Sequence, residues 1–262
     1  MIRVASYNIR KAIGTDRARR PERTLEVLNE LDADVIALQE ADRRFGSRAS
    51  ALPPRLIAEH SDYKPVAFDA RPGSLGWHGN ALLVRKDVEV LERHLFHLPS
   101  LEPRGAVLAD IALGGARLRV VGMHLDLSGL WRRRQAQAIL SHLAERDGDC
   151  PQVLMGDLNE WSTRGGCLRD FAHHLLFAPC GRSFHASRPI AQLDKIMVSP
   201  DLEILRSGAH DSPNARRASD HLPVWADLRI GDARAELPPP HPRLRHRIRA
   251  SIERGTKKAL GR

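Results

Sequence analysis

Gln152-Val153-Leu154-Met155-Gly156-Asp157-Leu158-Asn159 is a short apolar run that ends in a carboxylate and an amide. A continuous run without alternation suits a strand covered on both faces. Polar residues just beyond such a strand collect at one rim of a sheet, where a site can stand on rigid supports. The same arrangement recurs on both sides of this stretch: upstream in Ser6-Tyr7-Asn8-Ile9-Arg10, Ala37-Leu38-Gln39-Glu40, His78-Gly79-Asn80-Ala81 and Gly122-Met123-His124-Leu125-Asp126, downstream in Leu193-Asp194-Lys195-Ile196 and Ser219-Asp220-His221. Seven such blocks spread over more than 200 residues point to one catalytic rim.

The surrounding pattern predicts strands over residues 2–9, 34–39, 80–85, 105–113, 117–124, 152–157, 193–198 and 222–230. Pro21 to Leu31 reads as a helix, with Leu25, Leu28 and Leu31 on one face and Pro21 in the first turn. Leu130 to Arg146 reads as a second, with Ala136, Ile139, Leu140 and Leu143 inward and Ser128 as its cap. Strand pairs within 80–91 and 105–124 are expected to lie adjacent. The mixed order predicts an α/β protein with sheets packed face to face and helices outside. No internal repeat is present.

The chain has 262 residues, 42% of them hydrophobic, enough for a full core. The blocks span Asn8 to His221, so residues 1–230 are read as one catalytic domain. Its net charge of +9 is unevenly placed: from Gly231 on, nine Lys/Arg face three Asp/Glu, a net +6, which leaves +3 for the rest. Pro238-Pro239-Pro240 marks residues 231–262 as a stiff linker and basic tail. Leu244, Ile248 and Ile252 among arginines would make a helix there basic and amphipathic, suited to an anionic membrane surface or nucleic acid; a solubilising tail is the alternative. The N-terminus starts directly on a strand-like alternation, leaving no room for a secretory signal. No run of about 18 apolar residues occurs. Cys150, Cys167 and Cys180 are odd in number and lack metal-type spacing. The expected location is cytoplasmic, with a peripheral position at the inner face of the membrane open through the tail.

Glu40 leaves a buried run, and a carboxylate there needs a cation or a partner. A hard ion such as Mg²⁺ is held by one or two carboxylates plus water and substrate phosphate. Asp157 and Asn159, two apart, would point the same way in extended backbone. That pair could hold and deprotonate a water while the amide donates to a phosphoryl oxygen, or could simply form an Asx-turn. Asp220 and His221, being adjacent, diverge, so one can face a metal and the other a phosphate. Arg132 and Gln135 share a helical face, and Arg132 could grip a second phosphate or face solvent.

Taken in order, these blocks resemble the endonuclease/exonuclease/phosphatase superfamily over roughly residues 2 to 230, most of all its small bacterial members of undefined substrate. The resemblance implies a DNase I-like four-layer α/β sandwich, two packed mixed β-sheets flanked by helices. It implies Mg²⁺, with Mn²⁺ a possible substitute, held by Asn8, Glu40 and Asp220. It also implies catalytic roles for His124, Asp157, Asn159, Asp194 and His221: Asp157 orienting or deprotonating water, Asn159 holding a phosphoryl oxygen, Asp194 fixing the tautomer of His221, and His124 contacting phosphate and assisting the leaving oxygen. His78, Asn80 and Arg132 are the expected substrate-binding residues. The substrate is expected to be a phosphodiester, in nucleic acid or a phospholipid.

Abasic-site endonucleases of the superfamily carry a Tyr-containing block where this chain has Gly122-Met123-His124-Leu125-Asp126, and base-inserting aromatics in long loops. With 5% aromatics and two tyrosines, stacking platforms are scarce here, which argues against that branch. No HExxH, Cys/His cluster or GxSxG elbow supports a zinc or serine hydrolase. A catalytically silent module binding phosphate-rich surfaces is the alternative to an enzyme, but a scaffold would not need the whole polar set.

Overall fold

The structure is a computed structural model that describes residues 1–43, 49–146 and 150–231. In chain order its elements are β1 (Ile2–Asn8), α1 (Pro21–Leu31), β2 (Val35–Gln39), α2 (Pro54–His60), β3 (Tyr63–Pro65), β4 (Ala81–Arg85), β5 (Glu89–His97), β6 (Gly105–Leu113) and β7 (Ala116–His124). There follow α3 (Gly129–Ala144), β8 (Gln152–Asp157), α4 (Cys167–Ala172), β9 (Leu176–Phe177), β10 (Asp194–Val198), β11 (Leu202–Ala209), α5 (Pro213–Ala218) and β12 (Val224–Ile230). The strands form two six-stranded sheets, ordered β11-β12-β1-β2-β4-β3 and β5-β6-β7-β8-β10-β9.

The continuous apolar runs are explained by burial on both faces. Along β1, Ile2 and Val4 join the core between the sheets, while Ala5 and Tyr7 pack outward against α1 and α5. On the second sheet, Val107 and Val120 face inward, whereas Leu108, Val121 and Leu154 pack outward on α3 and α4. The result is four layers, helix–sheet–sheet–helix, each interface closed by aliphatic side chains worth about 1.5–3 kcal/mol apiece when fully buried.

Each sheet contains one parallel pair at its centre. β1 runs with β2, placing Asn8 opposite Gln39, and β7 runs with β8, placing His124 opposite Asp157. β10 starts antiparallel to the end of β8, with Asp194 opposite Asp157, and β12 starts beside the end of β1. All the polar blocks therefore emerge at one rim.

The segment 80–91 does not form an adjacent pair. β4 pairs with β2 and β3 in the first sheet, whereas β5 crosses to the edge of the second and pairs with β6. The hairpin over 105–124 is present as β6–β7. No helix among the described residues is long and apolar enough to cross a membrane. The reading of the tail as a linker and amphipathic helix falls outside the described residues.

Candidate active site

Asp157 is the hub of the rim. Its Oδ2 accepts from Asn8 Nδ2 at 3.0 Å and lies 3.4 Å from His124 Nε2 and 3.7 Å from His221 Nε2. Its Oδ1 accepts from the backbone N–H of Asn159 at 2.9 Å. The two sheets meet here, because Asn8 belongs to the first and Asp157 to the second. Behind this hub, Asp194 Oδ2 holds His221 Nδ1 at 2.8 Å and accepts from Ser183 Oγ at 2.6 Å. Ser219 accepts from the backbone N–H of His221 and donates to the carbonyl of Asn8, clamping the start of β12 to the end of β1.

The two histidines are driven in opposite directions. Burial pushes His124 down to about 3, and the Arg104 guanidinium adds to the effect. Arg104 Nη1 lies 2.7 Å from His124 Nδ1 and 2.6 Å from Nε2, a donor set against the ring edge between its two nitrogens. For His221, burial alone would lower the value, but Asp194 and Asp157 outweigh it and raise it to about 10. Neutral His124 and cationic His221 thus flank one carboxylate.

A cleft open to solvent runs from His124 along Lys11, Glu40, Arg43, Arg71, His78 and Arg104. Glu40 and His78 both take left-handed backbone, φ 52° and 50°, a conformation that costs a non-glycine residue energy and turns each sharply off its strand. Glu40 is paired with the ammonium of Lys11, and Asp220 with Arg10 Nε at 3.3 Å.

Asn8, Glu40, His124, Asp157, Asp194, Asp220 and His221 therefore converge, with His78 on the adjoining cleft. Three expected residues are directed elsewhere. Asn159 is not in extended backbone beside Asp157: β8 ends at Asp157, Asn159 has φ 49°, and its amide donates to the Leu125 carbonyl at 2.9 Å. Asn80 is buried and donates to the carbonyl of Gly105, tying its loop to β6. Arg132, expected to reach substrate, is 8% exposed and spends its guanidinium on Glu160 and the carbonyls of Asp126 and Leu127. Sequence reading passed over Lys11, Arg104 and Ser183. Arg104 sits immediately before the β6 run and Lys11 three residues after Asn8, so position next to a block was the available signal.

The donor chemistry suits a hard divalent cation: Glu40 and Asp220 are carboxylates that the protein already matches with positive groups, and the Asn8 side-chain oxygen accepts from the Arg10 N–H at 3.1 Å. Asp157, Asp194 and His221 also bring ligand atoms within 4.8 Å of one another. His221 Nδ1 is already bonded to Asp194 at 2.8 Å, and its Nε2 faces Asp157 at 3.7 Å.

The model of the endonuclease/exonuclease/phosphatase family matches residues 5–221. The uncharacterized protein YbhP of Escherichia coli is 26% identical over 176 residues, 59% of this chain and 64% of YbhP, so the chain spans under two thirds of that relative. Among solved structures, an endonuclease/exonuclease/phosphatase from Beutenbergia cavernae superposes with a TM-score of 0.69 at 24% identity, covering 88% of this chain and 72% of that one. A mannosyl-6-phosphatase of Bacteroides thetaiotaomicron gives 0.72 at 20% identity, covering 87% and 100%. The TDP2 of D. rerio, complexed with a single-strand DNA product, gives 0.67 at 16% identity, covering 87% and 98%. These structures share the four-layer fold with this one. The matched span takes in every block from Asn8 to His221, and the chain belongs to the endonuclease/exonuclease/phosphatase family.

Proposed function

We propose that the protein is a metal-dependent hydrolase of phosphoric esters, acting on a phosphodiester with Mg²⁺ as its ion. The observation that carries this reading is the convergence on Asp157 of Asn8, His124 and His221, from both sheets, beside the carboxylate of Glu40. Glu40, Asp220 and the carbonyl of Asn8 would hold the ion, whose chemistry is to neutralise charge on a phosphoryl oxygen and help the leaving oxygen depart.

The chain's own groups supply the rest. Asp157 orients a water and takes its proton, and the Asn8 amide fixes the carboxylate for that task. His221, kept cationic by Asp194, donates from Nε2 to a phosphoryl oxygen as charge builds there. His124 is neutral, so it serves as a hydrogen-bond donor and not as the acid that protonates the leaving group. Lys11 and Arg104 line the cleft where the phosphate would arrive and balance its charge.

Hydrolysis of an aryl phosphodiester and an aryl phosphomonoester, each with Mg²⁺, with Mn²⁺ and with chelator, tests the reading. Metal-dependent release from the diester is expected, with faster release from the monoester overturning the diester assignment and equal release under chelator overturning the metal.

A further inference from the structure

Among the described residues nine large apolar side chains are exposed, and their placement is not even. Met1, Leu91, Leu205 and Ile230 lie at the end of the sheets away from the site. The other five, Leu101, Leu127, Leu130, Trp161 and Ile190, are each 60–69% exposed and all sit on segments flanking the catalytic rim.

Hydrogen bonds and ring contacts join these segments into one arc. The Leu101 N–H reaches Asp126 Oδ2 at 3.4 Å, and Asp126 precedes Leu127 and also accepts from the backbone N–H of Ser128, the residue before the helix carrying Leu130; the Ser128 side chain makes no capping bond. Arg132 donates to the Leu127 carbonyl at 2.6 Å and to Glu160 at 3.3 Å, bracketing Leu127 to the residue before Trp161. The Trp161 ring stands edge-on to Phe184 at 6.0 Å, and the Ile190 N–H donates to the Phe184 carbonyl at 2.7 Å. Phe184 in turn packs 4.9 Å from the ring of His221, so the arc abuts the reacting centre.

The charge on these segments is one-sided. Across 99–104, 126–134, 160–166 and 181–190, every exposed charged residue is an arginine: Arg133, Arg134, Arg164, Arg182 and Arg188. Arg133 reaches Asp170, and Arg134 lies over Trp131 at 4.8 Å; Arg134, Arg164, Arg182 and Arg188 have no carboxylate partner among the described residues. Asp126 and Glu160 are buried, and Glu102, half-buried beside Leu101, is paired with Arg104 at 3.5 Å.

We propose that this arc is an interfacial docking surface that seats on an anionic phospholipid bilayer and presents lipid phosphoester headgroups to Asp157. Leucine, isoleucine and a tryptophan ringed by arginines match a headgroup–acyl boundary carrying negative charge. A nucleic-acid platform would instead need flat rings, and four of these five side chains are aliphatic. The headgroup delivery rests on the phosphoesterase reading; the docking does not.

The test is sedimentation of the full chain with vesicles of phosphatidylglycerol and phosphatidylcholine, against vesicles of phosphatidylcholine alone. The native chain is expected to bind the anionic vesicles. Leu127→Ser with Ile190→Ser should lose about tenfold in partitioning, since both side chains leave the apolar phase; Leu91→Ser with Leu205→Ser should bind as the native chain does. A blue shift of tryptophan emission on vesicle addition should be smaller in Trp161→Phe than in the native chain, with Trp131 on the same arc supplying the remainder. Asp157→Asn should bind vesicles like the native chain, so a chain that binds but hydrolyses nothing defeats only the phosphoesterase reading. Failure of the native chain to bind, equal loss in both double variants, or capture of a single-stranded oligonucleotide in place of vesicles overturns the docking surface.

Discussion

Asp157 accepts from Asn8 and from the backbone of Asn159 and lies 3.4 and 3.7 Å from the ring nitrogens of two histidines, so its charge organises the groups around it. Replacing His221 by Asn removes the cation opposite the phosphate and leaves Asp194 with only Ser183; turnover is expected to fall about 100- to 10,000-fold, measured as kcat on the ester that turns over best. The opposed histidines give a pH signature in chelator-treated protein. His221 lies above its ordinary 6.5, so the stabilisation from its carboxylate neighbours is complete below about pH 6.5 and is lost as pH rises toward 10. His124 lies below 6.5, so it withdraws stability as pH falls from 6.5 toward 3, where the unfolded chain takes the proton and the folded one does not. Imidazole resonances should show His221 unmoved through neutrality and shifting near 10; a midpoint near 6.5 would contradict the Asp194 pairing. Burial also pushes the Cys167 and Cys180 thiols up to about 12, so a disulfide exchange reagent at neutral pH should modify neither until the protein is unfolded.

At the scale of elements, β7 and β8 must lie close enough to set His124 beside Asp157, and Gly156 permits it: a Cβ there would stand 1.8 Å from the Met123 carbonyl oxygen. Gly156→Ala should therefore cost about 3 kcal/mol or more in urea unfolding, because backbone and not a flexible side chain must yield. The Arg132–Glu160 pair is buried at both ends, and Arg132→Leu should cost about 3–5 kcal/mol by leaving Glu160 uncompensated. That is a stability effect, where a substrate-gripping arginine would have shown its loss in KM. The strands legible in the sequence are those buried on both faces, such as β1, β2 and β8, whose apolar runs have no competing reading. β5 and β11 were not legible: each is an edge strand with a bulge and mixed charged side chains, so neither period nor composition marks it. The helices α2, α4 and α5 span six or seven residues, too short for a helical stripe to repeat.

For the whole molecule, the two sheets can be regarded as two halves of a vice whose jaws carry Asn8 and Glu40 on one side and His124, Asp157 and Asp194 on the other. Which polar residues share the rim was legible, because each follows an apolar run. Where the side chains point was not: Asn159 turns left-handed after β8 in place of extending it, and Arg132, helical as expected, turns its guanidinium inward to Glu160. Lys11 pairs with Glu40 and Arg10 with Asp220, so a divalent ion held as proposed would compete with these internal cations. Saturating metal should raise the melting temperature by several degrees, and Glu40→Gln should abolish most of that rise; no shift in the native chain would remove Glu40 from the metal. The most direct test of the account is Mg²⁺-dependent hydrolysis of an aryl phosphodiester by the native chain and by Asp157→Asn, with folding of both verified by circular dichroism. Turnover by the native chain that chelator stops and the folded variant loses at least about 100-fold is the predicted result; equal turnover by the two chains would contradict it.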